Sequence, residues 1–233
     1  MTGYVESFTE NWEKLEQYDN NAPKTMNAHL HVLEAYTLLY QCWKDNGLKK
    51  RLEFCVDLFM NRIYDPSRKH FNLFFDNEWN SLVEMDSYGH DVETGWLLCE
   101  AARTLENQDL IEQTNQLALD VTEACLAEGM SDKGYMIYEK KGDRKTKHAS
   151  WWGQIETVIA CVNAWQISGS DVYLQSVDTV WTFVKDHMVD KEYGEWYSDC
   201  FDGEPKKEAP KVSMWRCPYH TVRLGVEMYN RLK

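Results

Sequence analysis

Two histidines stand at the starts of predicted helices, where an imidazole can exchange a proton with a ligand. His90 follows the turn-favouring residues Ser87 and Gly89. The spacing of apolar residues after His90 predicts a helix, and His90 lies in its first turn. The positive end of a helix dipole disfavours a second positive charge, so we expect His90 to stay neutral. His220 follows Pro218, which is tolerated in a first helical turn. Facing one another, these histidines could remove and deliver a proton; as isolated residues they would only cap helices or line a core edge.

Two glutamates follow aromatic or histidine residues at helical spacing. Glu93 lies three residues after His90, so the two share a helix face and Glu93 can orient the ring or bind a ligand. Glu156 lies four residues after Trp152. Paired carboxylates are typical of the active sites of glycoside hydrolases. Glu93 and Glu156 could equally orient neighbouring side chains or bind hydroxyl groups of a sugar. Adjacent helical positions diverge by about 100°, so of Trp151 and Trp152 one lines the site and one packs.

The elements that must position these residues are helices. Apolar spacing predicts seven of them, at about 25–45, 48–63, 88–106, 109–128, 150–168, 171–187 and 218–233. Short extended pieces are predicted at 71–75, 79–83, 135–138 and 194–198. The basic segment 140–145 is expected to be a solvated loop, with a mobile lid as the alternative. Short connections between helices in series are typical of an all-α protein built from antiparallel hairpins.

The unusual polar and aromatic residues lie on alternate helices. They are Asn27 and His31 on the first, His90 and Glu93 on the third, Trp152 and Glu156 on the fifth, and Trp215 and His220 at the seventh. Alternate helices of an antiparallel array point the same way, so their N-terminal ends should converge on one end of a bundle or toroid. His29 lies on a different face from His31, and we expect it to be exposed.

Composition excludes several classes of function. The chain has 233 residues, 27% of them charged and 43% hydrophobic, which is ordinary for a globular protein with a full core. Its net charge of -13 argues against nucleic acid and anionic membranes as partners. No apolar run approaches the ~18 residues of a membrane span, and the first residues do not resemble a signal peptide, which predicts a cytoplasmic protein.

Cofactor and metal motifs are absent from the sequence. The seven cysteines are odd in number and widely spread in apolar patterns, as expected of reduced packing residues. Cys217 and His220 have the spacing of metal ligands, but no second pair accompanies them, so we expect no metal. No phosphate-binding glycine loop, nucleophile elbow or dinucleotide fingerprint is present, and we expect chemistry without a cofactor. The ten tryptophans suit sugar rings, although aromatic cores are the alternative.

Five motifs in order resemble the N-acylglucosamine 2-epimerase superfamily. They are residues 24–36 (KTMNAHLHVLEAY), 87–93 (SYGHDVE), 151–156 (WWGQIE), 194–197 (GEWY) and 215–220 (WRCPYH). The resemblance extends from about residue 3 to 230, and the SYGHD and CPYH forms are similar to the cellobiose epimerase branch more than to the mannose isomerase branch.

The resemblance implies an (α/α)6 barrel and cofactor-free epimerisation at C2 of the reducing-end glucose of a β-1,4-linked disaccharide, giving mannose. The proton transfer would pass through a cis-enediol(ate). The family's acid/base histidines match His90 and His220, and an auxiliary histidine matches His31. Its sugar-contacting positions match Asn27, Glu93, Trp152, Glu156 and Trp215.

One departure from the family is large. About seven helices cannot close a ring of twelve, so residues 1–233 are expected to form a single domain equivalent to the C-terminal portion of the barrel, without an arginine that contacts the substrate. Exposed helix faces then predict self-association or packing of a missing N-terminal segment. The alternatives left open are an aldose-ketose isomerase of the same superfamily, a glycoside hydrolase using Glu93 and Glu156, and an inactive fragment or binding module.

Overall fold

The structure is a computed structural model that describes residues 3–15, 17–18 and 21–233. These residues contain seven α-helices, as predicted: α1 (Met26–Cys42), α2 (Asn46–Leu58), α3 (Tyr88–Leu105), α4 (Gln108–Gly129), α5 (Trp151–Ser168), α6 (Val172–Phe183) and α7 (Tyr219–Arg231). Helices α2 and α6 each continue into a π-helical turn, Phe59–Ile63 and Val184–Met188. The predicted ends at 63 and 187 therefore lie close to where helical structure stops.

The chain divides into two compact units. The first comprises Met1–Asp86 and Leu97–Gln116, and the second comprises Ser87–Trp96 and Leu117–Lys233. Helices α3 and α4 therefore each contribute one part to each unit. The expectation of a single domain over 1–233 stays a prediction.

Three of the helices are preceded by a short polar residue whose side chain caps the helix N-terminus. Thr25 accepts a hydrogen bond from the backbone N–H of Ala28 at the start of α1, and Asp45 accepts one from Leu48 at the start of α2. Ser150 does the same for Gly153 at the start of α5. Each bond satisfies an N–H that has no partner within its helix. Helix α5 ends at Gly169, whose φ of 71° is the left-handed conformation typical of a helix C-terminus.

The first unit is built on the packing of α1 against α2. Two short antiparallel pairs accompany these helices: β1 (Lys24–Thr25) with β4 (Phe74–Phe75), and β2 (Tyr64–Asp65) with β3 (His70–Phe71). A further short strand is β5 (Met85–Asp86). Of the extended pieces predicted at 71–75 and 79–83, the first contains β4. The second pairs with it through one antiparallel bridge, Phe75 with Ser81, and through the N–H of Leu82, which donates to the carbonyl of Phe74 at 2.9 Å.

The second unit is built around α5. Every residue of α5 from 153 to 164 is buried, which is typical of a helix surrounded by others. It packs against α6 and α7. Strand β8 (His148–Ser150) leads directly into α5 and forms an antiparallel sheet with β9 (Asp199–Phe201) and β10 (Glu204–Pro205). The predicted basic segment forms a hairpin of β6 (Lys140–Lys141) and β7 (Arg144–Lys145).

The predicted strand at 135–138 is not formed. Met136 makes a single bridge with Met130, and its backbone N–H and carbonyl form hydrogen bonds with the buried side chain of Gln154. Gln154 Oε1 accepts the N–H of Met136 at 2.8 Å, and Gln154 Nε2 donates to the carbonyl of Met136 at 2.9 Å. An amide side chain thus replaces a partner strand, because it offers the same donor and acceptor.

All seven cysteines are free thiols and five of them are buried, as expected of packing residues. Among the described residues, no helix combines the length and the apolar character needed to cross a bilayer.

Candidate functional site

The first turns of α3 and α5 lie against each other in the second unit. A Cβ atom on Gly89 would lie 2.7 Å from the ring of Trp152 and 3.2 Å from Cα of Gly153. Only glycine fits this approach without a shift of ring or backbone. Gly89 lies inside α3, so its role is close packing, which the interpretation as a turn or cap residue did not include.

Trp152 contacts both histidines of the predicted acid/base pair. Its ring centroid is 4.6 Å from that of His90 and 5.7 Å from that of His220. His90 Nδ1 lies 2.7 Å from the hydroxyl oxygen of Ser87. The neighbouring Trp151 packs under the guanidinium of Arg216, whose Cζ lies 5.0 Å from the ring centroid. Its ring also approaches that of His220 edge-on, at 6.3 Å between centroids.

Glu156 determines which nitrogen of His220 is left to exchange a proton. Its Oε1 lies 2.7 Å from His220 Nδ1, and its Oε2 accepts the indole N–H of Trp96 at 2.9 Å. An ionised carboxylate can only accept hydrogen bonds, so His220 Nδ1 carries the hydrogen. This leaves Nε2 of His220 as the nitrogen that can give or take a proton.

Sequence reasoning missed Arg223, which joins the two glutamates. Its Nη1 donates to Glu93 Oε1 at 2.6 Å and to Glu156 Oε1 at 3.1 Å, and its side chain is only 8% exposed. The signal that could have found it is its spacing: Arg223 lies three residues after His220, so both occupy one face of α7.

The carboxylate arrangement disfavours glycoside hydrolysis. The side chains of Glu93 and Glu156 are 2% and 0% exposed, and both bind the same guanidinium. A general acid or nucleophile needs an oxygen available to the glycosidic bond, and Oε1 of each glutamate is already engaged by Arg223.

A metal ion is also disfavoured at this cluster. Oxygen and nitrogen atoms of Glu93, Glu156 and His220 lie within 4.8 Å of one another, which is close enough to bind a cation together. Arg223 already places a positive charge against both carboxylates. A metal ion would have to displace that charge.

The structure brings five of the eight predicted site residues together within the second unit. They are His90, Glu93, Trp152, Glu156 and His220. Trp215 belongs to the same unit and is 83% exposed. Asn27 and His31 belong to the first unit, at the start of α1, and His31 Nδ1 lies 3.2 Å from Glu34 Oε2.

The expectation that His29 is exposed is wrong, because this side chain is fully buried. It falls in the buried stripe of α1 that runs from Met26 through Leu33. Its Nδ1 lies 2.6 Å from the carbonyl oxygen of Thr25, and its Nε2 accepts the backbone N–H of Tyr4 at 2.9 Å. Burial lowers the pKa of His29 below its ordinary value. His29 is therefore a neutral structural residue of the first unit.

Comparison with known sequences identifies the family. The family model for N-acylglucosamine 2-epimerase (GlcNAc 2-epimerase) matches residues 2–223. The chain is 40% identical over 236 residues to the cellobiose 2-epimerase of Bacteroides fragilis, covering 97% of this chain and 59% of that protein. It is 36% identical to the cellobiose 2-epimerase of Dictyoglomus turgidum, covering 99% and 60%. The chain thus spans about three fifths of the length of these curated relatives.

Solved structures of epimerases are also similar to this chain. A crystal structure of a sugar epimerase from a ruminal bacterium matches with a TM-score of 0.94 at 34% identity, covering 98% of this chain and 60% of that one. The cellobiose 2-epimerase from Bacillus thermoamylovorans matches with a TM-score of 0.93 at 35% identity and the same coverage. These epimerases are (α/α)6 barrels, so the predicted all-α class, with about seven of the barrel's helices, is confirmed. The chain belongs to the N-acylglucosamine 2-epimerase family.

Proposed function

We propose that this protein catalyses epimerisation at C2 of the reducing-end glucose of a β-1,4-linked disaccharide such as cellobiose, without a cofactor. The observation that carries the proposal is the placement of two imidazole rings against one indole, with His90 and His220 both in contact with Trp152. The relatives named as cellobiose 2-epimerases support the choice of substrate.

The reaction needs two proton carriers and no redox step. Once the reducing sugar has opened, the aldehyde at C1 makes the C2 hydrogen acidic. One histidine removes this proton, and the electrons of the C–H bond form a cis-enediol(ate). A histidine on the opposite side returns a proton to C2, which inverts the configuration and leaves the atom count unchanged. Positioned histidines suit both steps because imidazole can donate and accept protons near neutral pH.

The two histidines have different hydrogen-bond partners at Nδ1. Glu156 holds His220 by Nδ1 and stabilises the imidazolium that forms when Nε2 takes a proton. His90 is held by the hydroxyl of Ser87, which carries no charge. Trp152 offers an apolar face between them that suits the C–H groups of a sugar.

The remaining assignments follow the family resemblance. We assign sugar contacts to Asn27, Glu93 and Trp215, and an auxiliary role in proton transfer to His31. In Glu93 the oxygen Oε1 binds Arg223.

Deuterium exchange tests the proposal. Incubation with cellobiose in heavy water should place deuterium at C2 of the reducing residue and produce glucosyl-mannose. The substitutions His90→Ala and His220→Ala should each lower exchange by at least about 100-fold, because each removes a proton carrier.

The matched control is His187→Ala. This histidine stacks on Phe183 in the second unit, at 4.8 Å between ring centroids, and should be dispensable for exchange. A ketose product would identify an aldose-ketose isomerase instead. Absence of exchange from the folded protein, or substantial turnover by either site variant, contradicts the proposal.

A further inference from the structure

We infer that Arg223 is a positioning residue for proton transfer at His220 and that it acts through Glu156. The inference rests on the proposed function, since it assigns a role within the same site. Arg223 donates a hydrogen bond to the carboxylate of Glu156, and the same carboxylate oxygen holds the imidazole of His220.

The contacts place Glu156 at the centre of the cluster. Its Oε1 is shared by His220 Nδ1 at 2.7 Å and by Arg223 Nη1 at 3.1 Å, while Oε2 accepts the indole N–H of Trp96. Three donors on two oxygens leave this carboxylate little freedom to rotate. The direction of the His220 ring is therefore set by a group that is itself held in place.

The charges explain why an arginine is needed. Two buried carboxylates, Glu93 and Glu156, lie within 4.8 Å of each other, and like charges at this distance in a buried site disfavour ionisation of both. Arg223 binds one oxygen of each and offsets this repulsion. Without it, one carboxyl group would take up a proton or turn away. If that group were Glu156, His220 Nδ1 would lose its acceptor.

Aromatic rings keep the guanidinium in position. Arg223 Cζ lies 4.1 Å from the ring centroid of Tyr219 and 5.3 Å from that of Trp96. A planar guanidinium suits such faces, whereas the ammonium of lysine is a point charge on a flexible stem. Arg223→Lys should therefore keep the charge and lose part of the positioning.

Helix α7 offers a matched control. Arg231 lies eight residues after Arg223 and also approaches Trp96, with Cζ 5.6 Å from the ring centroid. Its Nε pairs with Glu227 of the same helix, and its Nη1 donates to Asn163. Arg231→Met therefore removes a comparable cation from the same helix and leaves the guanidinium of Arg223 in place.

The kinetic test compares three variants for epimerisation of cellobiose. Arg223→Met should lower kcat by about 10- to 100-fold, as is usual when the partner that orients a reacting group is removed. KM should change by less than about threefold, because the lost contact acts on the proton carrier and not on the bound sugar. Arg223→Lys should recover part of the loss, and Arg231→Met should retain the kcat of the wild type.

A spectroscopic test does not depend on activity. In protein with 15N-labelled histidine at alkaline pH, where the ring is neutral, His220 of the wild type should show the tautomer with hydrogen on Nδ1. Arg223→Met should yield a mixture of both tautomers. Arg223→Lys preserves the charge and should show a smaller change, so it serves as the test if the methionine variant does not fold. Arg231→Met should match the wild type.

The two tests separate the inference from the proposed function. Absence of epimerase activity in the wild-type protein would refute the proposed function. The tautomer of His220 in the Arg223 variants would still show whether Arg223 positions the ring. An active wild type whose Arg223 variants keep both kcat and the Nδ1 tautomer would overturn the inference alone. A loss of kcat equal in Arg223→Met and Arg231→Met would also overturn it.

Discussion

At the scale of single residues, two histidines of α1 have opposite environments although they are two positions apart. His29 is fully buried and His31 is exposed. Both ring nitrogens of His29 have partners: a carbonyl that can only accept and an N–H that can only donate. This pair of partners fits the neutral ring with hydrogen on Nδ1, and a second hydrogen on Nε2 would face the N–H of Tyr4.

We predict that His29 makes the protein less stable at acid pH. Burial first, and then the charge of Lys24, lower the pKa of His29 from its usual 6.5. As pH falls through this value, the unfolded chain binds a proton that the folded chain does not, so the free energy of unfolding falls. The free energy of unfolding should therefore be lower at about pH 5.5 than at about pH 7.5.

Urea unfolding at the two pH values measures this effect. His29→Gln should be less stable than the wild type near neutral pH and should lose less stability on acidification. Equal pH dependence in the wild type and His29→Gln would refute the assignment of a buried neutral imidazole.

At the scale of elements, the site depends on how closely the first turns of α3 and α5 approach. We predict that Gly89→Ala disrupts this contact, since the new Cβ would lie 2.7 Å from the Trp152 ring that touches both histidines. Overpacking of this kind costs about 1–3 kcal/mol, which exceeds the ~1 kcal/mol by which alanine favours a helix over glycine. Urea unfolding and the exchange assay should both show a loss.

Gly95 of the same helix is the matched control. A Cβ there would lie 3.5 Å from Cα of Ala118, an ordinary contact distance. Gly95→Ala should therefore leave stability unchanged or raise it slightly. If Gly89→Ala behaved in the same way, close packing at the start of α3 would not explain why glycine stands there.

At the scale of the whole molecule, exposed apolar side chains and a large net charge act against each other. Helix α7 exposes Val222, Val226 and Tyr229, which follow one another at helical spacing. An apolar stripe of this kind favours association, whereas a net charge of -13 opposes it by repulsion between copies. Salt screens the repulsion and leaves the apolar contact unaffected.

We therefore predict self-association that depends on protein concentration and strengthens as salt is added, measured by sedimentation. Val226→Glu should weaken it at unchanged thermal stability, because this side chain is half exposed. Val172→Glu, at an exposed position of α6, should have little effect. A wild-type protein that remains monomeric at all concentrations and salt levels would contradict the prediction.

The order of the helices and the positions of most site residues could be predicted from the sequence. Apolar spacing of 3.6 residues reports which side chains share one face of their own helix, and that sufficed to place His90, Glu93 and Glu156 in the first two turns of α3 and α5. The family resemblance added roles for these residues. Neither signal depends on how distant segments pack.

Tertiary structure alone decided which side chains are partners. Glu156 binds His220 across 64 positions of sequence, and Arg223 binds Glu93 across 130. Helical spacing shows that Arg223 shares a face of α7 with His220, but it carries no information about contacts between helices, so the pairing of Arg223 with Glu93 was not predicted. The burial of His29 and the close approach at Gly89 depend in the same way on what packs against each helix. The sequence thus determined which residues could do the chemistry, and packing determined which groups hold them in place.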